Sequence, residues 1–344
     1  MNKRVHIFRR LALASAMVVA MLATTSCNDG LGTFDGEGDC GVYISFKYDY
    51  NIKFANAFAN EVNSIALYVF DEEETLIDQL TTTDKEALSD DEFEMVLQLD
   101  PGKYQLLAWG GLMNEESFDL LANAEIGKTK LQELQVRMHR DHNASGDAVV
   151  EKDLLPLYHG SMKIDVNDVD GTYKHTMSLM KDTNVVRILL NELSGHEADA
   201  DDFIFEIEDS NGLYDWDNTL LEDEQITYKA WDKESVSTET ETMSRAQESV
   251  GGALAELTIG RIRADRSPIL RIRSSETGED IVRLPLAEYA LMVKGQYNLG
   301  MSSQEYLDRV YEYNMTLFLD EGEWVSTSIL IHSWRVVINN TVLE

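Results

Sequence analysis

Cys27 is the residue whose surroundings define its chemistry most closely. The chain begins with a basic segment without acidic residues, and the apolar run Leu11 to Ala23 follows it. The small residues Thr24 to Ser26 then stand directly before Cys27. This order of segments is typical of an export signal, and a cysteine directly after small residues is typical of a bacterial lipoprotein signal. We predict that residues 1–26 are a lipoprotein signal peptide and that Cys27 is lipidated after cleavage. A soluble secreted protein with an incidental Cys27 is the alternative.

The apolar run is too short to be a mature transmembrane helix, which needs about 20 residues. Two or three acyl chains, each contributing about 0.8 kcal/mol per buried CH₂, anchor a protein stably. Residues 27–40 are rich in glycine and acidic residues. We predict a lipidated flexible tether that extends about 40 Å between Asn28 and Asp39. Cys40 has no predicted disulfide partner if Cys27 carries lipid, so we expect a buried or unused thiol.

Two histidines at close spacing, His139 and His142, are the best candidates for a metal site, with His159 or Asp147 as a third ligand. Nothing else in the sequence completes a tetrahedral set, and a solvated loop that carries two histidines is commoner. We therefore predict no metal site.

Other acidic motifs also lack the spacing that chemistry requires. The segment Asp165 to Gly171 resembles a calcium loop, but Val169 and Asp170 occupy positions that need an oxygen ligand and a glycine, so we expect a turn. The run Asp71 to Glu74 follows a predicted strand and is expected to be a solvated turn rather than a catalytic pair. Because the common nucleophile, phosphate-binding and metalloprotease motifs are missing, we predict no catalytic residues, cofactor or small-molecule substrate.

Charge excludes one class of partner. The chain has 344 residues, and 62 acidic against 29 basic residues give a formal net charge of −33. Such a protein gains nothing from the counterion release that drives nucleic-acid binding, so we predict no nucleic-acid partner. Three tryptophans, Trp109, Trp216 and Trp231, offer rings that could stack on sugars, although tryptophan in or beside strands is more often part of a core.

Alternation of apolar and polar residues with a period of two predicts an all-β protein. Predicted strands before residue 182 begin at Val42, Ser64, Phe93, Lys103, Leu134, Tyr158 and Tyr173, and later ones begin at Asn184, Phe203, Leu257, Ile269, Ile281, Tyr313, Ser326 and Trp334. Seven strands suit one sandwich, so we predict two tandem β-sandwich domains, residues 41–182 and 183–344. We also predict a short helix at Phe54 to Ala59 and a mobile polar loop from Asp232 to Gly252.

The last strands, Thr327 to Ile338, combine apolar and β-branched residues with almost no charge. Such a segment pairs along its length and must be covered. It belongs either to the protein's own C-terminal sandwich or to the sheet of another chain. Because Glu344 follows almost at once, we expect the first arrangement.

Many short segments together resemble the FimB-type fimbrial anchor family, outer-membrane lipoproteins of Gram-negative anaerobes. The resembling segments are Cys40 to Asn51, Phe54 to Phe58, Glu61-Val62, Leu67 to Asp71, Pro101 to Tyr104, Ala108 to Gly110, Tyr158 to Ser161, Leu257 to Ile262, Gln304 to Arg309, Tyr313 to Leu319 and Ser333-Trp334. The resemblance implies two transthyretin-like β-sandwich domains, with Cys27 as the only functional residue that transfers.

The same resemblance implies a structural role on the cell surface. Members of the family hold a fimbrium to the outer membrane, limit its length and join its structural and accessory fimbrillin subunits by β-strand exchange. We therefore expect fimbrial subunits as partners and the outer membrane as the location. The alternative is a surface lipoprotein that binds host protein or glycan, and a metal-dependent hydrolase around His139 and His142 is a third hypothesis.

Overall fold

The architecture is that of a computed structural model, which describes residues 40–114, 116–194, 198–239, 249–297, 300–325, 328–331 and 334–337. The predicted signal peptide and nearly all of the predicted tether lie outside these residues. Strands dominate the described chain, and the prediction of an all-β sandwich protein is confirmed.

Twelve strands precede Asp182, five more than predicted. They are β1 (Gly41–Lys47), β2 (Ile65–Phe70), β3 (Leu76–Thr82), β4 (Glu94–Leu97), β5 (Gly102–Gly110), β6 (Phe118–Leu120), β7 (Val136–Met138), β8 (Asp141–His142), β9 (Ala148–Val150), β10 (Tyr158–Val166), β11 (Thr172–Ser178) and β12 (Met180–Lys181). The missed strands are β3, β6, β8, β9 and β12. Four of them have three residues or fewer, too few to show a period, and β3 is largely polar.

Twelve more strands follow. They are β13 (Thr183–Glu192), β14 (Phe203–Asp209), β15 (Leu213–Tyr214), β16 (Ile226–Lys229), β17 (Asp232–Glu239), β18 (Ser249–Gly260), β19 (Ile269–Ser274), β20 (Asp280–Pro285), β21 (Glu312–Asp320), β22 (Glu323–Trp324), β23 (Ser328–Ile331) and β24 (Trp334–Val337).

The strands form two sandwiches and one small sheet. In the first sandwich a three-stranded sheet, β11-β1-β4, faces a five-stranded sheet, β12-β10-β5-β2-β3. In the second, a seven-stranded sheet, β17-β18-β13-β21-β23-β24 with β22 paired to β21, faces a six-stranded sheet, β20-β19-β14-β16-β9-β8. Strands β8 and β9 pair into the second sandwich, and β6 and β7 form a small sheet with β15. The chain between β5 and β10 thus binds both halves together, and the division at residue 182 stays a prediction.

Two hydrophobic cores explain the burial pattern of the strands. In β1, Val42, Ile44 and Phe46 alternate inward as predicted. Strand β2 is buried on both faces, because the five-stranded sheet lies between the cores. Its odd-numbered residues face the core of the first sandwich and its even-numbered residues face the larger core, which continues into the second sandwich. A continuous apolar run is what a strand covered on both faces requires.

Five short helices complete the described chain: α1 (Phe58–Glu61), α2 (Lys85–Leu88), α3 (Leu286–Met292), α4 (Lys294–Tyr297) and α5 (Ser303–Arg309). The predicted helix at Phe54 to Ala59 was wrong in its bounds. Phe54 has a φ of 52°, and the Asn56 side chain accepts hydrogen bonds from the backbone of Tyr48 and Phe58, so the chain forms a loop before α1. None of the helices in the described chain is long and apolar enough to span a bilayer.

The prediction of a mobile loop from Asp232 to Gly252 was wrong for the two described parts of this segment, and residues 240–248 lie outside the described residues. The two parts form β17 and the start of β18, which pair antiparallel out to Glu239 and Ser249. Strand β17 has three charged residues, Asp232 to Glu234, followed by serine, valine and threonine, a composition that suits an edge strand but shows no apolar period.

Candidate anchoring and assembly site

The predicted tether enters the first sandwich at Gly41, the first residue of β1. The Gly41 N–H donates to the carbonyl of Gly171 at 3.0 Å, and the Gln98 side-chain amide donates to the carbonyl of Cys40 at 3.1 Å. Gly41 has a φ of 148°, and a Cβ there would lie 2.9 Å from Gln98 Nε2. Glycine is therefore required at this point, which we call the tether end. Cys27 lies outside the described residues, so its lipidation stays a prediction.

Strand β1 runs from the tether end toward the second sandwich. The loop that follows it reaches the end of α5, where the Ile52 N–H donates to the carbonyl of Arg309 at 2.9 Å. The Arg309 guanidinium lies 4.1 Å from the ring centroid of Tyr50 and 4.5 Å from that of Phe54. These stacked contacts fix the end of β1 against the second sandwich.

A single residue, Asp182, separates β12 of the first sandwich from β13 of the second. Its N–H donates to the carbonyl of Leu157 at 2.8 Å, and its carbonyl accepts from the Tyr214 hydroxyl at 3.1 Å. One carboxylate oxygen accepts from the Asn218 side-chain amide at 2.9 Å. We call the surroundings of Asp182 the junction. So short a connection leaves no room for a flexible linker.

The Asp182 carboxyl is fully buried, and burial raises its pKa to about 7 although Arg261 and Asn218 act in the opposite direction. Its second oxygen, Oδ2, has no hydrogen-bond partner within the described part of the chain. A buried carboxylate with an unpaired oxygen destabilises the folded protein unless it binds a proton.

A buried ion pair stands beside this carboxyl. Arg261 and Asp308 form a bidentate pair with both N–O distances at 2.8 Å, and their side chains are 10% and 5% exposed. The same guanidinium donates to the carbonyl of Asn218 at 2.9 Å, and the Arg261 N–H donates to the Tyr214 hydroxyl at 3.1 Å. Since removal of one partner leaves an unpaired buried charge, the pair holds β18, α5 and the loop at Asn218 together.

A second contact of the junction joins the sandwiches through Lys181. Its ammonium lies 3.2 Å from Glu61 Oε2 and 4.2 Å from the ring centroid of Tyr311, just before β21. The Lys181 side chain is 9% exposed, so water screens this pair little. The polar contacts on both sides of Asp182 therefore connect the two sandwiches directly.

The C-terminal strands lead away from the junction. Strand β21 begins at the junction and runs parallel to β13, while β23 returns antiparallel and β24 turns outward again. The structure thus places the C-terminal strands in the protein's own sheet, the arrangement that we expected. We call the end of the second sandwich where β13 and β21 finish, near Glu192 and Asp320, the far end.

The two edges of the seven-stranded sheet differ. On the β17 edge, Lys233 donates to the carbonyl of Ala200 at 3.1 Å and Ser235 donates to Asp199 at 3.0 Å, so this half of β17 is covered. Strand β24 contains one charged residue, Arg335, and its outer side pairs with no other strand among the described residues. An uncovered edge with few charges can accept a further strand, which makes β24 the candidate assembly edge.

The three histidines considered as metal ligands lie in separate contacts. His139 Nε2 is 2.9 Å from Asp119, and His142 Nε2 is 3.3 Å from Glu224. His159 is buried with Nε2 2.9 Å from the carbonyl of Trp216, and burial lowers its pKa to about 4. Across the part of the chain that the structure describes, no three potential ligands come together.

The other sequence candidates have structural roles. Trp109 is fully buried against His159, with ring centroids 4.7 Å apart, whereas Trp231 is 36% exposed and donates to Thr258. The segment Asp165 to Gly171 contains the last two residues of β10 and the turn before β11, and Asp71 accepts from the Thr75 N–H in the turn before β3. None of these groups faces another across a pocket in the described residues.

The comparisons with known proteins decide the family. A family model described as fimbrillin-A associated anchor proteins Mfa1 and Mfa2 matches residues 36–340. The chain belongs to this family. The sequence resemblance to fimbrial anchors is thereby confirmed.

Solved structures share the fold of the chain. A candidate adhesin from Bacteroides thetaiotaomicron is 35% identical, with a TM-score of 0.77 over 88% of this chain and 100% of that chain. A candidate polysaccharide-binding protein from the same organism is 27% identical, with a TM-score of 0.75 over 88% and 99%. The fimbrial anchor protein Mfa2 from Porphyromonas gingivalis is 18% identical, with a TM-score of 0.64 over 87% and 99%, and shares the fold. No curated protein sequence matches the chain.

Proposed function

We propose that this protein anchors a fimbrium to the outer membrane as a surface-exposed lipoprotein. Cys27 carries the lipid, residues 27–40 form the tether, and the first fimbrial subunit pairs a strand with the outer edge of β24. The family match over residues 36–340 carries the proposal. It is supported by the location of the tether end in the first sandwich and of β24 in the second.

The path between these two points suits a protein under tension. A pull on the tether acts along β1, crosses the junction and continues along β13 and β21. Strand hydrogen bonds are perpendicular to the strands, so a lengthwise pull loads the whole ladder of a strand together. Strand β13 has nine register pairs with β18 and eight with β21, which makes it the most firmly held strand on this path.

Pairing at β24 also provides a physical reason for a limited fimbrium length. An open edge offers unpaired N–H and C=O groups, and a partner strand satisfies them while its side chains enter apolar sites. The described C-terminal strands β23 and β24 are already paired in the protein's own sheet, so they offer an edge to a subunit and are not themselves donated. A subunit that only accepts ends the polymer.

The lipid part of the proposal is tested with Cys27→Ser in cells. We expect the variant in the soluble fraction rather than in the outer membrane, while Cys40→Ser, the matched control, stays in the membrane. Retention of Cys27→Ser in the outer membrane would contradict the proposal.

The strand-pairing part is tested with two proline variants, Arg335→Pro and Val336→Pro. In an antiparallel edge strand, neighbouring residues direct their N–H groups to opposite sides, so one variant removes a bond to β23 and the other removes an outward donor. We expect the variant that loses the outward donor to have the melting temperature of the wild type but to lose binding of purified fimbrial subunits. Normal binding by both variants would exclude pairing at β24.

A surface binding module is the second candidate function. The 27% identity to a candidate polysaccharide-binding protein and the partly exposed ring of Trp231 favour it. It predicts that purified surface polysaccharides quench tryptophan fluorescence and that Trp231→Ala abolishes the quenching. The anchor proposal predicts no such change.

A further inference from the structure

The outer face of the seven-stranded sheet has an apolar centre that neither core uses. Four half-buried side chains, Leu189, Leu254, Phe318 and Leu330, lie on this face, because their sequence neighbours point into the core. None of the four belongs to either hydrophobic core or packs against one. A sheet with one solvated face normally carries polar residues there, so these four apolar residues depart from the usual pattern.

The strand registers align most of these residues in one row. Leu254 on β18 is opposite Leu189 on β13, Leu189 is opposite Thr316 on β21, and Thr316 is opposite Leu330 on β23. We call these four residues the apolar row. At about 4.8 Å between strands, the row is roughly 14 Å long, and Phe318 lies two residues nearer the far end.

The other outer face of the same sandwich is a control within the molecule. On the six-stranded sheet, Arg271 lies 2.7 Å from Glu208 and Arg273 lies 2.7 Å from Glu206, and Lys229 adds a further charge. That face carries cross-strand ion pairs, as expected for a surface in water. Its two half-buried isoleucines, Ile204 and Ile269, are opposite Arg273 and Glu208, so these two do not form an apolar row.

Charged residues surround the apolar row. Arg187 pairs with Glu256 at 2.6 Å and lies 3.7 Å from Glu312 on the side toward the junction. Glu234 on β17 is opposite Leu254 at one end of the apolar row, and Arg335 on β24 is opposite Leu330 at the other end. An apolar centre within a charged rim is the usual anatomy of a protein interface.

We propose that this outer face docks against the same fimbrial subunit whose strand pairs with β24. The inference rests on the proposed function and adds a second contact to it. The face is continuous with the assembly edge, since Leu330 lies on β23, the strand next to β24. The size of the outer face also fits an interface. The face is about 25 Å wide across six strands and about 30 Å long along the nine residues of β21, which gives an area of roughly 750 Å². Each partner in a standard interface buries ~800 Å².

The partner surface must have a matching chemistry. This chain has a net charge of −33, so an acidic partner would be repelled over most of its surface. The apolar row carries no charge and can bury apolar groups without that penalty. The subunit face that fits is therefore a sheet or loop surface with an apolar centre and few acidic residues.

The experiment compares two double variants of the full mature chain for binding to fimbrial subunits purified from the same organism. Leu189→Thr with Leu254→Thr makes the apolar row polar and introduces a β-branched residue like Thr316, which suits a strand. Ile204→Thr with Ile269→Thr replaces two apolar residues by threonine on the outer face of the six-stranded sheet. Thermal melting checks that both variants are folded.

We expect the first double variant to raise the dissociation constant at least about tenfold and the second to leave it unchanged. Equal binding by both double variants, with binding still lost in the β24 proline variants, would overturn the docking face and leave the anchor proposal intact. If the wild type binds no subunit, the proposed function itself fails. A wild-type dimer that Leu189→Thr with Leu254→Thr converts to a monomer would assign the face to a second copy instead and also overturn the inference.

Discussion

Replacement of Asp182 by asparagine should stabilise the protein in a pH-dependent way. The buried carboxyl has a pKa of about 7 in the folded state, against about 3.9 in an unfolded chain. The raised pKa means that the folded state binds the proton more tightly than the unfolded state. The stabilising contribution of the protonated Asp182 is therefore fully present below about pH 4. It decreases as the pH rises toward 7 and does not change further above that value.

The size of this effect follows from the shift. About three pH units at 1.36 kcal/mol each give a loss of about 4 kcal/mol between pH 4 and pH 7. Asparagine has the shape of the protonated acid, its oxygen can still accept from Asn218, and its amide takes the place of the unpaired Oδ2. Asp182→Asn should thus match the wild type at pH 4 and exceed its free energy of unfolding by up to about 4 kcal/mol at pH 8.

Urea unfolding of the soluble chain from Asn28 onward, followed by circular dichroism at pH 4, 6 and 8, measures the difference. Asp91→Asn, which changes an exposed carboxylate, is the matched control and should change the unfolding free energy little at any of these values. A variant that is less stable than the wild type at pH 8, or that differs equally at pH 4 and pH 8, would refute the account of the junction.

Three further predictions concern the same structure. Arg261→Met should lower the unfolding free energy by about 3–5 kcal/mol, because Asp308 would stay buried and unpaired, and restoration of stability by Asp308→Leu in the same chain would identify the ion pair as the cause. Gly41→Ala should lower the melting temperature, because Gly41 has a positive φ and the Gln98 amide is close. Gly146 also has a positive φ but open space around it, so Gly146→Ala should lower the melting temperature less. Equal decreases would show that backbone strain alone acts. EDTA should leave the melting temperature unchanged, and a fall of many degrees would reveal a metal that the fold needs.

Much of the fold could be predicted because apolar alternation survives in most strands. Val42, Ile44 and Phe46 of β1 illustrate this, and the apolar run of β2 was also predicted as a strand, although its burial on both faces was not. Strand β17 was missed because Val236 is its only apolar residue, so the strand has no apolar period. The pairing of β8 and β9 with the second sandwich could not be foreseen, since β9 pairs with β16 across more than 70 residues. The alternation of residues within a strand does not identify the strand with which it pairs.

The site was less predictable than the fold. Cys27 was predicted from a local motif, but the junction depends on contacts between distant residues: Arg261 and Asp308 are 47 positions apart, and Asp182 meets Asn218 across 36. The only sequence signal was that Arg261 and Asp308 lie in two of the segments that resemble fimbrial anchors. The apolar row was hidden for a different reason, because Leu189 and Leu254 belong to strands whose inward residues are also apolar.

The retention of fimbriae on cells tests the central claim most directly. Fimbrial subunits are quantified in the cell-bound fraction and in the medium for cells that lack this chain, for cells given the wild type, and for cells given Cys27→Ser. An anchor predicts fimbriae in the medium without the chain, fimbriae on the cells with the wild type, and release again with Cys27→Ser. Fimbriae that stay on cells lacking the chain would contradict the claim that it is their anchor.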